Sequence, residues 1–241
     1  MGSTRTPRAV IFDLDGTLAY TLPAICNAGN AALAELGLEP YPLERYRHFV
    51  GDGMPLLVAR MMAERGLQER SIVDRCLQRY RSYYEELQFG HSVVYDGVFE
   101  MLEALRARHL ALAVLSNKPH DFTLSLVQHL FGRMVVADGA RGDSARGPFV
   151  LVQGLDAQTP RKPSPEAASK IAKVMQLDAA DFLFVGDSGT DMETALAAGM
   201  VPIGVSWGYR DEQELRARGA AAVLDGPAQL LDFVSACTKE G

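Results

Sequence analysis

Short apolar runs alternate with helix-length stretches along nearly the whole chain, and this rhythm confines it to few architectures. The runs are Arg8–Asp13, Leu110–Ser116, Phe149–Gln153, Asp181–Gly186, Val201–Val205 and Ala221–Leu224. Helical patterns fall between most of them. Met101, Leu102 and Leu105 share one face of Glu100–Arg108. Ser164 as N-cap and Pro165 at the first helical position open a helix that reaches Met175. Thr190–Ala198 stops at Gly199, and Pro227–Ala236 closes the series. Strands spaced by helices in this way predict an α/β fold around a mostly parallel sheet.

One interval breaks the rhythm. Roughly 95 residues separate the first run from the second, where a simple crossover needs only ~10–12. Leu22, Ile25, Gly29, Ala32, Leu33 and Leu36 keep a helical period there, as do Val73, Cys76, Leu77, Tyr80, Tyr84 and Leu87. Residues 21–88 therefore read as an all-helical insertion, a small cap domain, and residues 1–20 with 89–241 as the α/β core. Placed directly after the first strand, such a unit would overhang that strand's end, where a lid can exclude water from chemistry. A second stretch, Gly132–Pro148, is glycine-rich and lacks a period, which predicts a surface excursion or short hairpin.

Composition narrows the function classes. A chain of 241 residues with 48% hydrophobic content can bury a real core. A net charge of −6 with no long basic run argues against a nucleic-acid partner. No apolar segment approaches the ~20 residues of a membrane span. Cys26, Cys76 and Cys237 are odd in number, far apart and without C-x-x-C spacing, so neither a disulfide framework nor a zinc site is expected. A reducing, cytoplasmic setting and a monomer or homodimer are the corresponding expectations.

The chemistry gathers where the apolar runs end. The first run leads into Asp13-Leu14-Asp15-Gly16-Thr17. Residues i and i+2 of a strand share a face, so the two carboxylates are expected side by side at its end, with Gly16 free to turn. Close carboxylates repel unless a cation or proton lies between them. The second run ends in Ser116-Asn117-Lys118-Pro119, where a hydroxyl and an amide can donate to an oxyanion and Pro119 blocks continuation of the strand. Arg161-Lys162-Pro163-Ser164-Pro165 holds a lysine between prolines at a helix start, a placement suited to a phosphate or to clustered carboxylates. The fourth run ends in Gly186-Asp187-Ser188-Gly189-Thr190-Asp191, whose two acids suit hard oxygen ligands for magnesium, while Asp187 or Ser188 could instead cap the following helix. In an open parallel sheet all these ends lie along one edge, where ligands bind.

With D-x-D-G-T at Asp13–Thr17, Ser116, Lys162 and G-D-S-x-x-D at Gly186–Asp191 in this order, the chain resembles the haloacid dehalogenase superfamily. Within it, D-G-T-L, S-N-K-P, R-K-P-S-P and G-D-S-x-x-D-M-x-x-A-x-x-A-G are similar to phosphoglycolate phosphatases and related small-molecule phosphatases. The resemblance implies a Rossmann-like, doubly wound parallel sheet with an inserted all-helical cap. It implies that Asp13 is a nucleophile that becomes an aspartyl-phosphate, and that Asp15 is the acid and base. Gly16, Thr17, Ser116, Asn117 and Lys162 would hold the phosphoryl group of a small phosphate monoester. Mg²⁺ would be bound by Asp13, the carbonyl of Asp15, Asp187 and, directly or through an intermediary, Asp191. Dehalogenases of the superfamily resemble this chain but lack an acid at the position of Asp15, because a halide leaves without a proton. A sugar-phosphate mutase, a pyrophosphatase or a non-catalytic phosphometabolite-binding protein stay open as alternatives. Mutases place a base shortly after a cap glycine, whereas Val50-Gly51-Asp52-Gly53-Met54-Pro55 has none. Arg45, Arg47 and His48, just upstream, are candidates for a substrate carboxylate. Ala19-Tyr20-Thr21 lacks the acid usual in the family after D-G-T-L.

Overall fold

Ala9, Val10, Ile11 and Phe12 are all fully buried. A strand this short achieves that only with a neighbour on each edge and a layer on each face. In the computed structural model, which describes residues 6–134 and 147–239, this strand, β1 (Ala9–Phe12), lies at the centre of a six-stranded sheet. The chain continues through β2 (Ala19–Tyr20), α1 (Leu22–Ala34), α2 (Leu43–Phe49), α3 (Met54–Ala63), α4 (Arg70–Leu87) and β3 (Val93–Val94). It then runs through α5 (Val98–Ala107), β4 (Ala111–Pro119), α6 (His120–Phe131), β5 (Leu151–Leu155), α7 (Glu166–Met175), β6 (Phe182–Gly186), α8 (Gly189–Ala197), β7 (Val201–Val205), α9 (Glu212–Ala217), β8 (Ala222–Leu224) and α10 (Ala228–Lys239).

The sheet order is β5-β4-β1-β6-β7-β8, and every pairing in it is parallel. This is the doubly wound order, with its topological switch beside β1. Alternation divides the side chains between two layers. Val10, Phe12, Leu112, Val114, Leu183 and Val185 pack toward α5, α6 and α10. Ala9, Ile11, Ala113, Leu115, Phe182 and Phe184 pack toward α7 and α8. Because the four central residues of β1 serve both layers, apolar run and buried strand coincide.

α1 to α4 form a helical cap with a core of its own, built from Leu22, Ile25, Tyr46, Met61, Tyr80 and Tyr84 among others. α1 approaches α2 closely at Gly29, where a side chain would collide with the Tyr46 hydroxyl. The two strands joining cap to core, β2 and β3, pair antiparallel as Ala19 with Val94 and Tyr20 with Val93. Entry and exit of the cap are thus tied together as a two-stranded ribbon.

Several edges differ from the sequence reading. β4 runs past Ser116 and stops at Pro119, as expected of that proline, with a register shift between Leu115 and Pro119. β5 begins at Leu151 rather than Phe149, and Pro165 is the N-cap of α7 while the Ser164 hydroxyl accepts from the Glu166 N–H at 3.4 Å. Residues 135–146 of the Gly132–Pro148 stretch lie outside the described residues. Cys26, Cys76 and Cys237 are free and buried. No helix among the described residues is long and apolar enough to cross a membrane.

Replacing Leu102, fully buried beneath the sheet, by alanine should cost about 2–5 kcal/mol. The exposed Val174 on α7 should tolerate the same change within about 0.5 kcal/mol. Urea denaturation of the two variants measures both.

Candidate active site

β1 ends at Phe12, and the chain then turns. The Asp13 N–H still donates to the Val185 carbonyl at 2.9 Å, the last tie to β6. The Leu14 carbonyl then accepts from Leu18 and Ala19 N–H groups at 3.1 and 3.0 Å, closing a tight loop. Gly16 has φ +86°, and a side chain there would collide with the Asp187 carboxylate. Both facts require glycine. β1 ends at Phe12, so Asp13 and Asp15 follow the strand rather than lie within it. Both border one cavity, but their carboxylates pair with different lysines.

Asp13 faces Lys162. Its Oδ1 lies 3.0 Å from Lys162 Nζ and accepts from the Leu14 N–H at 2.7 Å. Lys162 is 2% exposed; its ammonium also reaches Asp191 Oδ1 at 2.7 Å and the Leu115 carbonyl at 3.0 Å. Burial disfavours that charge, but Asp13 and Asp191 outweigh it and raise the Lys162 pKa above the usual range. Asp13 itself is pushed up to about 7: burial dominates, Lys162 opposes it, and Asp191 and Asp15 add repulsion. Asp187, also buried, is held well above the ordinary carboxylate value by desolvation and by Asp191 and Asp13.

Asp13, Asp187 and Asp191 each bring a carboxylate oxygen within 4.8 Å of the others. Ser188, one of the two expected caps, is the N-cap of α8, and Asp191 completes its capping box. Asp191 stands at N3, its Oδ2 accepting from the Ser188 N–H at 3.1 Å and hydroxyl at 2.6 Å, while Oδ1 holds Lys162. Asp187 Oδ2 accepts from the Tyr209 N–H at 2.7 Å. Asp13 Oδ2 and Asp187 Oδ1 have no hydrogen-bond partner among the described residues. An all-oxygen donor set with two open oxygens and raised pKa values fits a divalent cation, which would remove the mutual repulsion. Gly186 makes the cluster possible, because a side chain there would collide with the Asp191 carboxylate.

Asp15 belongs to a second network. Its Oδ1 accepts from the Thr21 hydroxyl at 2.6 Å, and its Oδ2 pairs with Lys118 Nζ at 2.9 Å. The Lys118 ammonium donates to the Tyr84 hydroxyl of the cap at 2.6 Å. Tyr209, on the loop after β7, accepts from the Thr21 N–H at 3.0 Å. Thr21 thus supplies a partner for Asp15 in the segment that lacks the family's usual acid.

The remaining expected residues divide. Ser116 borders the cavity with its hydroxyl turned partly to the Lys118 N–H at 3.3 Å. Asn117 also borders it, but its side-chain amide is occupied. Its Nδ2 donates to the Gly51 carbonyl at 3.0 Å and the Lys162 carbonyl at 3.2 Å, and its Oδ1 accepts from the Lys162 N–H at 2.8 Å. Thr17 lies apart: it borders a small apolar space with Phe12 and Trp207, and its buried hydroxyl has no partner.

The cavity measures about 50 Å³. Its floor carries Asp13, Asp15, Ser116, Lys118 and Asp187; its roof is the cap, with Ile25, Met54, Leu57 and Tyr80. The cap's own charges are engaged elsewhere. Arg45 pairs with Glu64, Arg60 with Asp52, and Arg47 donates to the Gly208 carbonyl at 3.0 Å. Arg210 reaches up from the core and donates to the carbonyls of Arg47 and Val50, capping the end of α2. Lys118, Tyr209 and Arg210 were not singled out from sequence. Lys118 stands inside S-N-K-P, and Gly208-Tyr209-Arg210 follows β7, another strand end on the same edge.

Comparison with known proteins identifies the family. Residues 10–205 match the haloacid dehalogenase-like hydrolase family, and the chain belongs to that family. It is 36% identical over 233 residues to a phosphoglycolate phosphatase of Rhodospirillum rubrum, covering 95% of this chain and 91% of that protein. It is 33% identical over 229 residues to one of Chromobacterium violaceum, with 94% and 96% covered. A crystal structure of a candidate phosphoglycolate phosphatase from Lactobacillus delbrueckii superposes with a TM-score of 0.84 at 26% identity, covering 94% of this chain and 98% of that one.

Lys162→Met should destabilise the metal-free protein by about 3–5 kcal/mol, because it leaves buried carboxylates uncompensated. Part of the loss should return when a divalent cation is added. Urea denaturation with chelator and with excess cation measures both effects; a loss below about 1 kcal/mol would contradict the buried ion-pair role.

Proposed function

We propose that the chain is a Mg²⁺-dependent phosphatase that hydrolyses a small phosphate monoester, phosphoglycolate or a close relative, through an aspartyl-phosphate on Asp13. The observation that carries this reading is the pairing of two acids with two different buried lysines across one small cavity. Asp13, beside Lys162 and the carboxylate cluster, has one open oxygen. On this reading Asp15, held by Thr21 and Lys118, transfers the proton.

In the first step, Asp13 Oδ2 forms a bond to phosphorus as the bond from phosphorus to the leaving oxygen breaks, and Asp15 gives that oxygen its proton. In the second, Asp15 takes a proton from water as the water oxygen attacks phosphorus, the bond to Asp13 breaks, and phosphate leaves. Lys162 neutralises charge on Asp13 and the transferring group, and Ser116 donates a hydrogen bond to a phosphoryl oxygen. Mg²⁺, held by Asp13, the Asp15 carbonyl and Asp187, would offset the repulsion between carboxylate and phosphate. Asp191 acts by fixing Lys162 and Ser188. Asn117 contributes through its backbone, its side chain fastening Lys162 to the cap loop. Residues 21–88 are the lid, closed over the site by the Asn117–Gly51 and Lys118–Tyr84 contacts.

The relatives named as phosphoglycolate phosphatases support the substrate class. The cap supports hydrolysis over mutase chemistry, since Asp52 is paired with Arg60 and no cap base borders the cavity.

Asp13→Asn should lower kcat/KM for phosphoglycolate by roughly 10³-fold or more while leaving the thermal midpoint little changed; substantial residual Mg²⁺-dependent turnover would refute the nucleophile. Asp15→Ala should depress hydrolysis of alkyl phosphates by roughly 10²–10⁴-fold. Release of the first equivalent of p-nitrophenol from p-nitrophenyl phosphate should suffer less, because that leaving group needs little protonation. Equal losses on both substrates, read by stopped-flow, would remove Asp15 from the proton-transfer role.

A further inference from the structure

The phosphatase reading gives Lys118 no direct contact with substrate, yet its side chain is 4% exposed and borders the cavity. An ammonium has three N–H donors. Asp15 at 2.9 Å and the Tyr84 hydroxyl at 2.6 Å occupy two of them, and the charge also stands 4.5 Å from the Tyr84 ring centre. One donor is left for a ligand.

Tyr80 is its neighbour across the cavity wall. It lies one helical turn before Tyr84 on α4, and the two rings stack at 6.0 Å. Tyr80 is 1% exposed and borders the cavity, and its hydroxyl has no hydrogen-bond partner among the described residues. That hydroxyl is free to donate to, or accept from, an atom in the cavity. The N-terminus of α3, at Gly53 and Met54, opens on the same cavity without a side-chain cap. Its free N–H groups favour an anion there. The other cation on the cavity wall, Arg210, is already engaged by two cap carbonyls. The remaining cap wall is apolar.

Resting on the phosphatase reading, we propose that Lys118 and Tyr80 form a specificity subsite for a carboxylate attached to the carbon that bears the leaving oxygen. Asp15 must touch the leaving oxygen to protonate it, and Lys118 lies 2.9 Å from Asp15. A carboxylate on the carbon that bears the leaving oxygen therefore comes close to that ammonium. The subsite thus selects phosphate esters of 2-hydroxy acids over alkyl phosphates of the same size.

The test compares kcat/KM for phosphoglycolate and for ethyl phosphate, which has a similar leaving group without the carboxylate, in the wild-type protein, Lys118→Met and Tyr80→Phe. The wild type should prefer phosphoglycolate. The ratio of the two kcat/KM values should fall at least ten-fold in Lys118→Met and about three-fold in Tyr80→Phe, mainly through KM for phosphoglycolate. If Lys118 only positions Asp15, both substrates lose equally and the ratio stays, which overturns the proposal. Should Lys118→Met fail to fold, the Tyr80→Phe ratio decides, and an unchanged ratio overturns the proposal. A wild type that hydrolyses both esters equally well also overturns the subsite, with the phosphatase reading intact. One that hydrolyses neither overturns the phosphatase reading and the subsite with it.

Discussion

The ammonium of Lys162, buried between Asp13 and Asp191, is the contact on which the site depends. Three carboxylates meet within 4.8 Å, and in a water-poor site such a cluster cannot persist without compensating charge. The fold delivers that charge from a separate segment. Asp13 follows the central strand, Asp187 and Asp191 follow its neighbour, and Lys162 precedes α7 beneath them. Asn117, at the end of β4, fastens the Lys162 backbone through hydrogen bonds at both its N–H and its carbonyl. Each group comes from a strand end or the loop beside it, so the edge of the doubly wound sheet converts topology into electrostatics.

A second cation makes the two acids of the first turn unequal. Had β1 continued, Asp13 and Asp15 would have shared a face and competed for one partner. The turn at Gly16 sends Asp15 toward Thr21 and Lys118 instead. Lys118 also holds Tyr84, and Tyr209 holds both Thr21 and Asp187. Cap, Asp15 and the carboxylate cluster are thereby joined through short polar contacts.

Much of this was legible because strong physical constraints leave marks in one dimension. A strand buried on both faces must be apolar throughout, and β1 and β6 are. An insertion with its own core must carry helical periods, and residues 21–88 do. Acids at strand ends stand out against apolar runs, which exposed Asp13, Asp187 and Asp191. What was not legible depends on three-dimensional direction. Asn117 looked like an oxyanion donor, but its amide is turned to backbone. Thr17 follows the acids in sequence, yet its hydroxyl points away from the cavity. Tyr80 and Tyr84 carried a helix period and read only as cap core, although their hydroxyl edges reach the site. Lys118 was hidden by its neighbours in S-N-K-P, since nothing in a sequence says which of three polar residues a strand end turns inward.

The central claim is that Asp13 carries the phosphoryl group between the two steps. It is tested most directly by mixing the Asp15→Asn variant with Mg²⁺ and p-nitrophenyl phosphate, quenching in acid and mapping peptides by mass spectrometry. The account predicts one added phosphoryl group on the peptide containing Asp13, formed with the first equivalent of p-nitrophenol. Release of p-nitrophenol with the phosphoryl group on another residue, or on none, would contradict it.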